Sequence, residues 1–280
     1  MGKVIISDPE RFLNKKKALI EGGKDNLHII SDFDRTLSRA FVNGERAPTV
    51  IAQIRNGGHL KEGYPRAAQD LFDHYHPIEK DENIAGDEKN RLMNEWWRKH
   101  FDLIIESGMN KQVIKNIVDE KNIILRVGVK EFIEKLNLDK IPLVIMSAST
   151  GDMIIAHLIE EELIYPNVHI VANLFEFDES GKVKGVKEPM IHSHNKNEIV
   201  VRDFDFYDQL LHRKNVILLG DNVGDVGMIE GFNYDNLIKI GFLNEDIEKN
   251  MEKFKQNYDV IITGDGSFEF VNKLLEEILV

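Results

Sequence analysis

Four short polar clusters hold the residue types that could do chemistry in this chain. The first is Asp32-Phe33-Asp34-Arg35-Thr36-Leu37, directly after the apolar run Leu27-His28-Ile29-Ile30-Ser31. Two carboxylates two positions apart on extended chain can aim at one cavity. Close carboxylates repel and shift each other's pKa unless a cation lies between them. Alone, the pair reads equally as a turn with two solvated aspartates. The second cluster is Ser147-Ala148-Ser149-Thr150-Gly151-Asp152. Small hydroxyl residues at a helix start offer OH and N–H groups to an anion such as phosphate, and they also make ordinary N-caps.

The third cluster, His194-Asn195-Lys196-Asn197, sets a lysine ahead of a helix. Such a lysine can place positive charge against a phosphate, although an isolated lysine is usually just solvated. His192 and His194 would share a face on a strand, but two histidines without a third ligand make a poor zinc site. The fourth, Gly220-Asp221-Asn222-Val223-Gly224-Asp225, follows the apolar run Asn215 to Leu219. A strand ending in a glycine-flanked acidic loop suits Mg²⁺, which prefers oxygen ligands. The loop lacks the third-position acid and terminal glutamate of a calcium loop, and by itself it also reads as a flexible acidic turn.

The elements that would position these clusters alternate. Continuous apolar runs at Leu27–Ser31, Ile141–Met146, Val168–Val171 and Asn215–Leu219 read as strands, with weaker candidates at Leu237–Ile240 and Val260–Ile262. Runs of this kind suit strands covered on both faces. Helical spacing marks Met153–Leu163, Glu245–Phe254 and Phe268–Leu279. The alternation predicts an α/β fold with a doubly wound, Rossmann-like parallel sheet, in which ligands sit at the carboxyl ends of the strands. Two segments break it. Residues 42–125, rich in charge and helix formers, read as an inserted helical cap, with residues 1–41 and 126–280 as the core. Trp96, Trp97, Phe101, Leu103 and Ile104 supply apolar bulk in the cap. Leu174–Phe177 and Val183–Val186 flank the polar turn of a β-hairpin.

The rest of the composition excludes whole classes of function. The chain has no cysteine, so disulfides, thiolate zinc sites and cysteine nucleophiles are ruled out. A formal charge of −12 argues against a dedicated binder of nucleic acid polymers. The one basic run, Lys15-Lys16-Lys17, sits among helix formers and reads as a solvated face. Met1–Glu10 lacks the apolar core of a signal peptide, and no run is long enough to span a bilayer. The expectation is a cytoplasmic protein that acts on a small molecule and does not use a membrane.

The order of the four clusters is more telling than any one of them. An Asp-x-Asp after the first strand, a hydroxyl after a later one, a lysine, and Gly-Asp-x-x-Gly-Asp after another together resemble the haloacid dehalogenase-like phosphohydrolase superfamily. More closely, the chain is similar to the pyrimidine 5′-nucleotidases of the cytosolic 5′-nucleotidase III family. The resemblance rests on Asp32 to Arg39, Tyr75-His76-Pro77-Ile78-Glu79, Glu95-Trp96-Trp97, Tyr165 to Val168, Ile191-His192 with Asn195-Lys196, Val216 to Asp221, and Ile238 to Asn244. These motifs cover nearly the whole chain, the inserted segment included.

The resemblance implies an enzyme that hydrolyses nucleoside 5′-monophosphates with Mg²⁺, the substrates being CMP and UMP or 7-methyl-GMP. Asp32 would be the nucleophile and Asp34 the general acid and base. The metal would be held by the Asp32 carboxylate, the Asp34 backbone carbonyl and Asp221, with Asp225 steadying that shell. Ser147, Ala148, Ser149 and Lys196 would hold phosphate, and Glu79 would lie near the base. His100 stands where the family has a substrate-contacting serine, and Ser149 stands where it has glycine. Trp96 and Trp97 can stack on a base or fill the core, and core is the commoner fate of tryptophans at helical positions. Two rivals remain: a small-metabolite phosphatase or phosphotransferase of the same superfamily, such as a phosphoserine-type hydrolase, and a silent nucleotide-binding module. The residues around Glu79 argue against the first, and the joint presence of Asp32, Asp34, Lys196 and Asp221 argues against the second.

Overall fold

A computed structural model of the chain describes residues 2–81, 83–197, 201–202 and 204–279. The chain runs through β1 (Val4–Ile6), α1 (Pro9–Gly22), β2 (Leu27–Ser31), and two short strands, β3 (Phe41–Val42) and β4 (Glu45–Arg46). Five helices follow: α2 (Val50–Asn56), α3 (Tyr64–Lys80), α4 (Gly86–Glu106), α5 (Lys111–Asp119) and α6 (Val129–Leu138). Then come β5 (Leu143–Thr150), α7 (Gly151–Glu160), β6 (Val168–Asn173), β7 (Phe175–Phe177) and β8 (Val183–Val186). The chain finishes with β9 (Asn215–Gly220), β10 (Asn236–Leu243), α8 (Ile247–Asn257), β11 (Val260–Thr263) and α9 (Glu269–Ile278).

Seven strands form one sheet in the order β1-β11-β10-β9-β2-β5-β6. All neighbours pair in parallel except β1, which lies antiparallel on β11. Alternate residues of the central strands enter two different cores. Ile29, Ile145, Ile217 and Leu219 join Phe12 and Leu19 of α1, Phe132 of α6, Met153 of α7 and Val271 of α9 on one face. Ile30, Val144, Val216 and Leu218 join Phe206, Leu210, Met228 and Phe254 on the other. The period-2 alternation therefore buries both faces, which explains the unbroken apolar runs. Each fully buried Ile or Leu contributes about 1.5–3 kcal/mol relative to exposure.

Topology places the site. After β2 the chain crosses to β5 and β6 on one side, and it later returns to β9, β10 and β11 on the other. The strand order thus reverses around β2, and the crevice at the carboxyl ends of β5, β2 and β9 is the switch point where ligands bind in such sheets. The register brings the ends level, with Ser31 opposite both Leu219 and Ile145.

The sequence reading and the structure differ in places. β5 starts after Pro142 and runs on to Thr150, so Ser147 to Ser149 lie on extended chain with a register shift and not at a helix start. The N-cap of α7 is Thr150, without a side-chain capping bond. β1 and the β3–β4 hairpin were not anticipated. Between β2 and β5, α3 and α4 enclose a small core of Tyr75, Met93 and Trp96, while Val50, Ile54, Phe101 and Ile117 are continuous with the core under the sheet. β7 and β8 form the expected hairpin, which meets the residues ahead of α5 through Val183 N–H to the Met109 carbonyl at 3.0 Å. Among the described residues no helix is long and apolar enough to cross a membrane.

Candidate active site

Asp32 is the first residue past β2, and its N–H still bonds the Leu219 carbonyl of β9 at 3.0 Å. Phe33 turns into the core and is fully buried, which holds Asp32 and Asp34 apart from it along the loop. The Asp34 carboxylate accepts the Val50 N–H at the first turn of α2, at 2.8 Å. Arg35 then takes a left-handed conformation, φ 62°, to turn the chain. Its carbonyl and that of Thr36 are held by Arg126, a residue 2% exposed. The same guanidinium donates to Asp265 Oδ1 at 2.9 Å, the Gly266 carbonyl at 3.0 Å and Asn244 Oδ1 at 2.7 Å, and it lies over the Phe242 ring. All five N–H donors of the fork are satisfied. One buried cation thereby ties the loop after β2 to the loops after β10 and β11.

Carboxylate oxygens of Asp32, Asp221 and Asp225 lie within 4.8 Å of one another. Asp32 and Asp225 are buried and Asp221 is half-buried. Lys196 reaches in with its ammonium 2.8 Å from Asp32 and 3.0 Å from Asp225. The other Asp225 oxygen accepts the N–H groups of Asn222, at 2.9 Å, and Asp221, at 3.2 Å. Asp225 is thus fixed on both sides. Burial pushes Asp32 up to about 6, with Lys196 opposing and Asp225 adding to the rise. Burial and then the Asp32 charge push Asp34 up to about 7. Asp221 rises well above the carboxylate range through burial and the charges of Asp225 and Asp32. Burial would lower the Lys196 ammonium, but Asp225 and Asp32 outweigh it and hold it above the ordinary lysine value. Three converging carboxylates facing one ammonium carry excess negative charge. An all-oxygen donor set of this kind fits a hard divalent cation such as Mg²⁺.

The end of β5 presents Ser147, Ala148 and Ser149 beside this group. The Ser149 hydroxyl is buried and has no hydrogen-bond partner, so it is available to an incoming acceptor. Asn173 fixes this segment against the lysine loop. Its amide donates to the carbonyls of Ala148 at 2.7 Å and Ile191 at 2.8 Å, and it accepts the Ile191 N–H at 2.8 Å. Asn195 accepts the His192 N–H at 2.7 Å and donates to the Met190 carbonyl, which sets the turn that delivers Lys196. Sequence reading missed Asn173 and Arg126, since nothing local marks either residue. Lys196 was expected ahead of a helix, and residues 198–200 and 203, which follow it, lie outside the described residues.

One cavity of about 710 Å³ joins Asp32, Asp34, Ser147 and Lys196 to Glu79 and Trp97 of α3 and α4. That is within the ~300–1,000 Å³ of typical small-ligand pockets. Asp221 lines an adjoining cavity of about 290 Å³, which shares Asn222 and Val223. The Glu79 carboxylate accepts the Ser193 hydroxyl at 2.6 Å and faces His76 Nδ1 at 3.2 Å. Trp97 lines the cavity, whereas Trp96 packs in the small α3–α4 core. His100 is not brought to the cavity wall. It is 8% exposed, lies 3.1 Å from the Tyr64 hydroxyl, and its ring is 6.1 Å from that of Trp97. Being one helical turn from Trp97, it is screened by the indole. His192 and His194 lie in a turn, and His192 Nδ1 accepts the His194 N–H at 3.2 Å. Among the described residues the one metal-competent group is the three aspartates.

Gly220, at the end of β9, makes the closeness of these carboxylates possible. A Cβ there would stand 2.5 Å from the Asp225 Cβ and 2.9 Å from both Asp225 Oδ2 and the Tyr258 hydroxyl. Gly220→Ala is expected to displace Asp225 and weaken metal affinity by ~10–100-fold, as loss of a group that orients metal ligands does. Calorimetric titration with Mg²⁺ reads this directly; an unchanged affinity would show that Asp225 does not position the site.

Comparison with known proteins gives the family. The sequence model of the pyrimidine 5′-nucleotidase (UMPH-1) family matches residues 35–279. The 7-methylguanosine phosphate-specific 5′-nucleotidase of Gallus gallus is 38% identical over 277 residues, 99% of this chain and 96% of the relative. The Homo sapiens protein of the same name is 38% identical over 99% of this chain and 92% of its own. The crystal structure of cytosolic 5′-nucleotidase IIIB bound to cytidine has a TM-score of 0.90 at 29% identity, covering 98% of this chain and 93% of that one. A substrate-bound phosphoserine phosphatase, at TM-score 0.52 and 19% identity over 89% of this chain and 97% of its own, shares the fold alone. The chain belongs to the pyrimidine 5′-nucleotidase (UMPH-1) family, and it is a 5′-nucleotidase on a haloacid dehalogenase-like fold.

Proposed function

We propose that this chain hydrolyses pyrimidine nucleoside 5′-monophosphates such as CMP and UMP, with 7-methyl-GMP as a competing substrate, by a Mg²⁺-dependent route through a phosphorylated Asp32. The observation that carries the reading is the convergence of Asp32, Asp221 and Asp225 on Lys196 at the end of a cavity that also holds Glu79. The Asp32 carboxylate attacks phosphorus as the bond to the ribose 5′ oxygen breaks. Asp34 protonates that oxygen, then takes a proton from the water that cleaves the aspartyl-phosphate. A carboxyl poised at about 7 is suited to both tasks at neutral pH. Lys196 and the serines of β5 hold the phosphate oxygens. The Asp32 carboxylate, the Asp34 backbone carbonyl and Asp221 would hold Mg²⁺, with Asp225 steadying them. The chemistry Mg²⁺ supplies when bound is charge neutralisation between carboxylate and phosphate.

In this reading residues 42–125 form the cap that selects the base, and residues 1–41 with 126–280 form the catalytic core. Glu79 accepts hydrogen bonds from N–H groups on the base edge. The curated relatives named for 7-methylguanosine phosphate and the neighbour bound to cytidine favour two base types on one scaffold. The same neighbour's name supports a cytosolic setting. Phosphate release from CMP, UMP, 7-methyl-GMP, AMP and phosphoserine tests the proposal. At least one of the first three should exceed AMP and phosphoserine by tenfold or more, and EDTA should abolish release until Mg²⁺ is restored. Faster cleavage of phosphoserine, or full activity in EDTA, would overturn it.

A further inference from the structure

Lys89 stands near the start of α4, and its side chain lines the same cavity as Asp32, Glu79 and Trp97. It is 8% exposed. Its stem is packed away while its ammonium stays open to the cavity, and a ligand that covers an ammonium must pair it or bear the cost. Among the described residues the Lys89 ammonium makes no hydrogen bond and no ion pair, and the carboxylate sharing its end of the cavity, Glu79, is engaged by Ser193 and His76. Both residues act on the half-buried His194: the Lys89 charge adds to burial in lowering it, and the Glu79 charge opposes. A donor-only cation and an acceptor-only anion therefore share one end of a cavity whose other end is built for phosphate.

A lysine ammonium has three N–H donors and no acceptor, so its partner must be a ligand oxygen or ring nitrogen. If the phosphate is at Asp32, the groups within reach of the α3–α4 end belong to the base. Cytosine, uracil and 7-methylguanine share one strong acceptor that adenine lacks, an exocyclic carbonyl oxygen. We propose that Lys89 selects the base by donating to this carbonyl while Glu79 accepts from the neighbouring N–H groups. The inference rests on the nucleotidase reading above and deepens it by assigning a specificity residue in the cap. An acceptor-poor base would leave the ammonium buried and unpaired, which is how polar sites reject analogues.

The test compares wild type with Lys89→Met and Lys89→Arg. Calorimetric titration with cytidine and with adenosine reads the base site without requiring turnover. Lys89→Met should weaken cytidine binding by ~10–100-fold and leave adenosine within about twofold. In phosphate release the loss should fall on KM for CMP, with kcat little changed. Lys89→Arg should recover part of it. Because the native ammonium is unpaired, Lys89→Met should also melt no lower than wild type. Equal losses for cytidine and adenosine would mean that Lys89 contacts the ribose or acts by charge alone, and would overturn the proposal. A lowered melting temperature with unchanged cytidine affinity would make it a structural residue, with the same result. Wild type that binds cytidine over adenosine but releases no phosphate from any nucleotide would instead defeat the nucleotidase reading while leaving the Lys89 assignment standing.

Discussion

Asp32→Asn is expected to lower turnover by on the order of 10⁴-fold or more, the scale of loss when a nucleophile is removed. The substitution keeps the shape of the side chain and exchanges the carboxylate proposed as nucleophile for an amide. It should not unfold the protein. Asp32 is one of three carboxylates crowded within 4.8 Å, and its carboxyl is already raised by burial. Removing its charge relieves repulsion, while Lys196 keeps Asp225 at 3.0 Å. Without metal the melting temperature should therefore equal or exceed that of wild type, and the stabilisation by Mg²⁺ expected of wild type should shrink. Thermal melts with and without Mg²⁺, beside phosphate release, separate the effects. Wild-type turnover in this variant would remove the nucleophile assignment and the phosphorylated intermediate with it.

Lys196→Met should lower turnover by about 10²–10³-fold, comparable to loss of one preorganised group that stabilises transition-state charge. Its stability effect has the opposite sign to that of Asp32→Asn. Removing the ammonium leaves Asp32 and Asp225 buried without their shared cation, and breaking a buried pair costs ~3–5 kcal/mol. Added Mg²⁺ should restore much of this, since a divalent ion at the carboxylates replaces the missing positive charge. The variant should also bind Mg²⁺ more tightly than wild type, because no ammonium competes for the same oxygens. Urea unfolding at several Mg²⁺ concentrations reads both. A variant destabilised to the same degree at every Mg²⁺ concentration would show that Lys196 only packs against the core.

Much of the sheet was legible because its central strands are buried on both faces, so within the runs at 27–31 and 215–219 only His28 breaks the apolar sequence between the first and last residues. β1 was not, since three residues carry little pattern and their partner, β11, lies at the far end of the chain. The β3–β4 hairpin left a signal that went unused. Asn43 and Gly44 both have positive φ, 54° and 84°, and Asn-Gly between short strands is a two-residue hairpin signature. The site divided in the same way. Asp32, Asp34 and Asp221 sit at strand ends, where position in the fold follows from local pattern. Lys196 arrives on a loop fixed by Asn173, about twenty residues upstream, and no spacing rule anticipates that. Lys89 reads in the sequence as one more charge on a charged helix, and only the packing of α3 on α4 buries it. The family resemblance, counted without gaps from Asp32, put His100 at the substrate, but Trp97, three residues earlier, lines the cavity and His100 does not.

Arg126 has a consequence for how the molecule opens. Its five N–H groups fasten backbone and side-chain oxygens from three loops that are far apart in sequence, at 35–36, 244 and 265–266. None of the three can swell into solvent without stranding donors of the same guanidinium. Their amide protons should therefore exchange with deuterium in one concerted event, with a shared free energy of opening, and not loop by loop.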